Sequence, residues 1–411
     1  MAYDYSALRD TVARYLELAN SPEQQIKREM WRDHNSLRFT RPPIYAFAVP
    51  YREIKDTIEL KSEDPDARGL EFRYKSILKY GVELGDDAVY EPWMTIGAAV
   101  EPLRDRWGVL SELGEKPFEG GAAAFQPQIV EETDIERLIT RPHTVDEAAT
   151  AREIDSMNEM LGGMMYVHAD RRGILSRVWY TDIATDIARL RGLDQIMYDA
   201  YDRPEWLHKL CKRMQTAILK SIDETEQAGD FSLAEQFDYV PCYSHDLPDP
   251  DPHVRGVKTR ELQMFFASQE MTCFGPEMFE EFCLNYQMPI MERFARISYG
   301  CCEDLTLKIP SLKKVKNLRR IGVTPFADIV KCAEQIGGDY VLSYRPHPTL
   351  VTHGFHEDAA RKSLRADFDV LMRNGCKFEV MLKDVETLSG HPENLAKWVK
   401  VVRQEIDRAF G

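Results

Sequence analysis

RISYGCCEDLTLKIPSLKKVKNLRRIGVTPFADIVKCAEQIGGDYVLSY (296–344) is the stretch that decides the fold. Arg296–Tyr299, Leu318–Val323 and Tyr340–Tyr344 are strand candidates, with helical pieces at Ser311–Val315 and Phe326–Ile336 between them. The pattern extends both ways. Leu262–Ala267 (strand) and Pro276–Phe294 (helix) precede it; Glu357–Asn374 (helix), Phe378–Leu382 (strand) and Pro392–Phe410 (helix) follow. Short strands alternating with helices demand a parallel sheet with helical crossovers. With Ile44–Val49 and further strands upstream, an α/β chain closed into a β/α barrel explains the sequence better than an open sheet. No Gly-x-Gly-x-x-Gly turn follows any strand, which argues against a dinucleotide fold.

Upstream, Ser21-Pro22-Glu23-Gln24 predicts a helix start that runs to about Asn35, with Gln24 placed for a capping box. Asp182–Gly192 and Pro204–Gly229 are expected helices. Tyr239–His253, rich in proline, is an expected irregular loop. Residues 60–130 hold turn-rich pieces such as Ser62–Asp66 and Gly120-Gly121, and are expected as excursions from the core. The domain organisation expected is one barrel domain over 1–411, with residues 1–40 a helical N-terminal extension and 41–411 the barrel.

The 411-residue chain carries 68 acidic and 53 basic side chains, a formal net charge of −15. That excess argues against nucleic acid or anionic membrane as partners. Met1–Asp10 shows no secretory signal and no apolar run has membrane-spanning length, so the expectation is a soluble, cytoplasmic chain. Eight scattered cysteines read as reduced thiols, with Cys211 and Cys283 in helical patterns as core residues.

In a barrel, function gathers at the C-terminal ends of the strands. That rule selects Ser268-Gln269-Glu270, Gly300–Glu303, Thr324-Pro325, Tyr344-Arg345-Pro346-His347 and Lys383-Asp384. Thiolates are soft metal ligands and a neighbouring carboxylate completes a site or moves protons, so Cys301, Cys302 and Glu303 are candidate metal ligands. Other readings of the pair are packed thiols or a vicinal disulfide. Gln269 and Glu270 either orient a substrate and serve as general acid/base or brace the mouth. Asp384 is a ligand, a base or an N-cap. Tyr299, Tyr344, Arg345 and His347 are candidate substrate contacts, as is Arg41; the alternative for both arginines is an ordinary ion pair. Asp251–Gly256 matches Asp-x-His-x-x-Gly, a cobalt-ligating run in corrinoid modules. Gly300 and the proline-rich loop depart from that motif, and the match is set aside as coincidence.

Thr40-Arg41-Pro42-Pro43, Ser268-Gln269-Glu270, Gly275–Phe282, Tyr299–Glu303, Asn317–Arg320 and Leu382–Val385 together resemble the uroporphyrinogen decarboxylase superfamily. The branch they resemble is the one related to cobalamin-dependent methyltransferases. The resemblance implies a TIM-type (β/α) barrel with inserted excursions and its site at the strand ends. Metal-dependent methyltransferases of that superfamily hold zinc with His-x-Cys after one strand and a Cys after the last. Cys301-Cys302-Glu303 resembles the first element, and Lys383-Asp384 stands where the last cysteine belongs. Zinc here would therefore need Cys/Glu/Asp ligation. The decarboxylases' Arg-Gln-Ala-Gly-Arg run is absent.

The function expected is a methyltransferase moving a methyl group between a small-molecule donor or acceptor and a corrinoid. The corrinoid arrives as free cobalamin or on a partner corrinoid protein, with zinc as a Lewis acid. The catalytic set expected is Gln269, Glu270, Glu303 and Asp384. A carboxy-lyase using Arg41 and Arg345 as clamps is the alternative, and homo-oligomerisation stays open.

Overall fold

The five strands expected from residue 262 onward all form, within one residue of their expected ends. In the computed structural model, which describes residues 3–47, 51–100, 106–109, 112–116, 118, 121, 123–235, 237–352 and 354–410, the principal strands are all parallel. In chain order they are β1 (Ile44–Ala46), β2 (Trp93–Gly97), β3 (Tyr166–Asp170), β4 (Gln263–Phe266), β5 (Arg296–Tyr299), β6 (Leu318–Val323), β7 (Val341–Tyr344) and β8 (Lys377–Leu382). Six of them make one curled half-barrel sheet in the order β1-β8-β7-β6-β5-β4, while β2 and β3 pair separately. Ala48 and Val49 of the expected first strand, and Gly120, lie outside the described residues.

The registers bring the strand ends to one rim. Phe266 sits opposite Tyr299, Val323 opposite Tyr344, and Ala46 opposite Leu382. Successive side chains point to opposite faces. Ile297, Tyr299, Ile321, Val323, Leu342, Tyr344, Phe378, Val380 and Leu382 belong to the main apolar core. That core also holds the inner faces of helices Pro204–Ala228, Glu357–Arg373 and Glu393–Phe410. The alternate positions, among them Ser298, Arg320, Ser343 and Glu379, are buried and polar.

One buried ion network fills that polar face. Arg320 donates to Glu379 at 2.8 Å, to Asp238 at 3.1 Å, to Ser298 at 3.2 Å and to Asn35. His34 Nε2 lies 2.6 Å from the second Glu379 oxygen. His34 and Asn35 end helix Pro22–Asn35, so this helix is tied into the sheet rather than appended to it. Trp31 of the same helix donates to the Asp87 carbonyl at 2.7 Å.

Several expectations are corrected. Ser21 accepts from the Gln24 amide at 3.4 Å, but the Gln24 side chain goes to Tyr90 N and Ala88 O and closes no capping box. Trp93–Gly97 is a parallel strand, so residues 60–130 are not wholly an excursion. The expected helix Pro276–Phe294 is divided into Pro276–Phe279, a wider turn Glu280–Leu284, and Asn285–Met291. Pro289 has no N–H for a regular helical bond. Helix Ile329–Ile336 starts later than expected because Asp328 caps it, accepting from Lys331 N at 3.1 Å. Among the described residues no helix is long and apolar enough to cross a membrane.

Removing the guanidinium would take from two buried carboxylates, Glu379 and Asp238, the cation they share. Arg320→Met is expected to cost about 3–5 kcal/mol, read from the shift in urea unfolding midpoint. Burial would raise the Glu379 carboxyl, but Arg320 and His34 hold it down to about 2. A depressed carboxyl stabilises the fold above its unfolded pKa and loses that contribution as pH falls toward the folded value. The acid limb of stability between about pH 4.3 and 2 should therefore flatten in Glu379→Gln.

Candidate functional site

Gly300 ends β5 with φ +108, and a Cβ there would lie 2.7 Å from Leu305 Cδ1. Only glycine fits, and its turn carries Cys301–Glu303 across the rim. Glu303 straps the loop down: one carboxylate oxygen accepts from Cys301 N at 2.7 Å, the other from Ser268 N at 2.8 Å. Arg345, following β7, donates to the Cys301 carbonyl. Gly322 gives it room, since a Cβ there would lie 2.9 Å from Arg345 Nη1.

Lys383 follows β8 and points inward. Its Nζ lies 3.3 Å from Cys301 Sγ, 3.1 Å from Cys302 Sγ and 3.1 Å from Asp384 Oδ2. The two sulfurs are 3.3 Å apart, and Tyr239 OH is 3.5 Å from Cys301 Sγ. Cys301 is buried and Cys302 exposed. The hydrogen bond from the Cys301 thiol pulls Cys302 down to about 6, with the Lys383 ammonium adding to it against burial. That same bond, together with burial, pushes Cys301 up. The contacts therefore favour the thiolate on Cys302 and the thiol on Cys301, beside the Lys383 amine. Burial and Arg345 would lower Lys383, but the sulfurs and Asp384 outweigh them and raise it.

Beside this cluster lies a cavity of ≈ 900 Å³ lined by Phe125, Trp179, Tyr180, Arg189, Gln269 and Glu270 among others. Trp179 joins the two regions: it lines the cavity and packs with Phe265 and Tyr239 in the cluster that contains Cys301. Burial pushes the Glu270 carboxyl up, against the 3.0 Å hydrogen bond from Gln269. The buried Asp182 is raised further by burial and by Glu270 itself. Burial thus favours the protonated form of Glu270, the direction an acid role requires.

The expected residues divide accordingly. Gln269, Glu270, Cys301, Cys302, Arg345 and Asp384 come to the rim. Glu303 is there as a backbone strap, and its donor oxygen does not join both sulfurs within 4.8 Å, so the Cys301–Cys302–Glu303 ligand set is not assembled. Tyr299 and Tyr344 are corrections: as last residues of their strands they face the helices, bonding Gln287 at 2.7 Å and Asp367 respectively. Arg41 precedes β1, at the opposite end of the sheet from the rim, and its fork is spent on Asp87 at 2.8 and 3.0 Å. His347 is exposed and bonds Thr349 at 2.8 Å. His253 of the Asp-x-His-x-x-Gly run lies on the surface against Tyr166, whereas Ser298 is buried in the sheet. Sequence reasoning passed over Lys383 as a ligand competitor, and missed Trp179, Asp182 and Tyr239, which sit in loops without a motif.

A zinc ion does not fit this donor set as it stands. Zn–S bonds of about 2.3 Å would put the ion where the Lys383 ammonium already contacts both sulfurs and Asp384. Among the described residues, the one group of three close candidate ligands is Glu29, Asp33 and His245, elsewhere on the surface.

No family model matches the chain, and no curated protein matches it. Among solved structures it is similar to a methyltransferase from Methanosarcina mazei, with a TM-score of 0.53 and 10% sequence identity, over 94% of this chain and 99% of that one. At that identity the likeness establishes a shared fold.

The thiolate can be read directly. Iodoacetamide labelling of Cys302, followed by peptide mapping, should rise with pH through a midpoint near 6. Cys301→Ala should move that midpoint up toward the ordinary thiol value of about 8.5, and Lys383→Met should move it in the same direction. A wild-type midpoint already at the ordinary value would contradict the described hydrogen bonding.

Proposed function

We propose that this chain is a methyltransferase of the uroporphyrinogen decarboxylase superfamily, working with a corrinoid on a separate partner protein. In this reading its eight parallel strands form a closed TIM-type barrel over residues 41–411, and residues 1–40 floor it. The observation that carries the proposal is the meeting, on one rim, of paired cysteines on a lysine amine, a half-buried carboxyl and a cavity of ≈ 900 Å³. The fold likeness to a methyltransferase over nearly the whole of both chains supports it.

The chemistry asked of such a site is breaking a bond between a methyl carbon and a heteroatom. The corrinoid, when docked, supplies the cobalt that takes up the methyl group or gives it back. This chain's residues do the rest. The electron pair of the broken bond stays on the heteroatom, and Glu270 in the cavity wall, its carboxyl pushed toward the protonated form by burial, gives that atom its proton. Gln269, bonded to Glu270, fixes the direction in which the acid points. Trp179 and Tyr180 present flat apolar faces to the substrate body and keep water off the reacting bond. Arg345 holds the loop that carries the thiols.

The reading is tested with reduced, oxygen-protected protein, cob(I)alamin and a panel of methyl ethers, methyl thioethers and methylated amines. At least one donor should give methylcobalamin, followed by its absorption spectrum. Glu270→Gln should slow that turnover by about 10²–10⁴-fold. If every donor stays inert while one panel compound binds tightly, the chain is a binding barrel and the proposal fails.

A further inference from the structure

The lysine at the end of β8 stands at the centre of the donor set a metal would use. Its three N–H groups meet three acceptors: Cys301 Sγ at 3.3 Å, Cys302 Sγ at 3.1 Å and Asp384 Oδ2 at 3.1 Å. The lysine is buried, and its Nζ lies 5.7 Å from the centre of the Tyr239 ring. The Arg345 guanidinium is 6.0 Å from the same ring, so a divalent ion added here would meet two resident cations. Asp384 takes φ +60, a left-handed conformation costly for a residue with a Cβ, in the turn that aims its carboxylate back at the amine. Glu303, the other oxygen donor nearby, has both oxygens engaged by backbone amides.

We propose that Lys383 is the resident cation of this site, occupying the position of a divalent metal, and that the chain works without one there. Its ammonium donates hydrogen bonds to a developing anion where a metal would bind it directly. A compact, strongly hydrated ammonium does this as a point charge with rotatable donors. Asp384, an exposed partner of the amine, holds the place that an incoming anionic atom would take. The catalytic part of this inference rests on the methyltransferase reading; the identity of the cation does not, and it is tested without turnover.

Reduced wild-type chain is titrated anaerobically with Co²⁺ while the thiolate-to-cobalt charge-transfer absorption is recorded. Wild type should show no such band. Lys383→Cys, which exchanges the ammonium for a third sulfur, should bind one equivalent of Co²⁺ with the band present. The band should be lost again when Cys302→Ser is added. A wild-type chain that takes up Co²⁺ through its thiols overturns the proposal. So does a Lys383→Cys chain that melts like wild type yet binds none, since the amine would then not be what occupies the position. The cobalamin assay can fail with the metal result intact, and the reverse, so the two readings fall separately.

Discussion

The contact between Arg320 of β6 and Glu379 of β8 fixes more of this molecule than any other pair. Both face the polar side of the sheet, and both are almost wholly buried. A charge so placed persists only when paired and fully hydrogen-bonded, and here Asp238, Ser298, Asn35 and His34 complete the set. The pairing sets the face on which β8 presents its side chains. With Glu379 turned inward, period-two alternation turns Met381 and then Lys383 inward as well, the last at the rim. A one-residue slip would send Lys383 to the helices and strip the thiols of their counter-charge.

The interior is therefore built as two cationic levels. Arg320 lies toward the floor among carboxylates, and Lys383 lies at the mouth among sulfurs and Asp384. The distinction has chemical content. The lower level is closed by helix Pro22–Asn35 and serves the fold. The upper level contains an exposed sulfur and borders the cavity through Trp179. Trp179, Ile183 and Asp384 all adopt positive φ, at 74°, 64° and 60°, around this upper level. Backbone strain of that kind persists where surrounding structure enforces it, and it gathers at sites that act.

Much of the sheet was legible because its outward face is apolar and its crossovers are amphipathic helices of ordinary length. The strands from Gln263 to Leu382 and the rim rule that selected Glu270, Cys301, Cys302, Arg345 and Asp384 follow from that periodicity. β2 and β3 were not legible, because Trp93–Gly97 and Tyr166–Asp170 sit amid turn-rich sequence and pair only with each other. Tyr299 and Tyr344 were misplaced for a sharper reason. The end of a strand does not by itself face the mouth: alternation puts the final strand residue on the outer face and the next inward positions, Gly300 and Arg345, at the mouth. Arg41 precedes its strand and so sits at the other end of the sheet, where Asp87 neutralises it. Lysine usually signals a solvated surface, and nothing in the sequence shows that Lys383 is buried against two sulfurs.

In this proposal an amine, not a metal, organises the paired sulfurs at the inner rim. Its most direct test is a crystal structure of oxygen-protected protein with anomalous data collected above the zinc edge. Both sulfurs should lie within hydrogen-bond reach of the Lys383 amine, with no anomalous peak between them. A metal peak coordinated by Cys301 and Cys302, or sulfurs turned away from the cavity side of the rim, would contradict it.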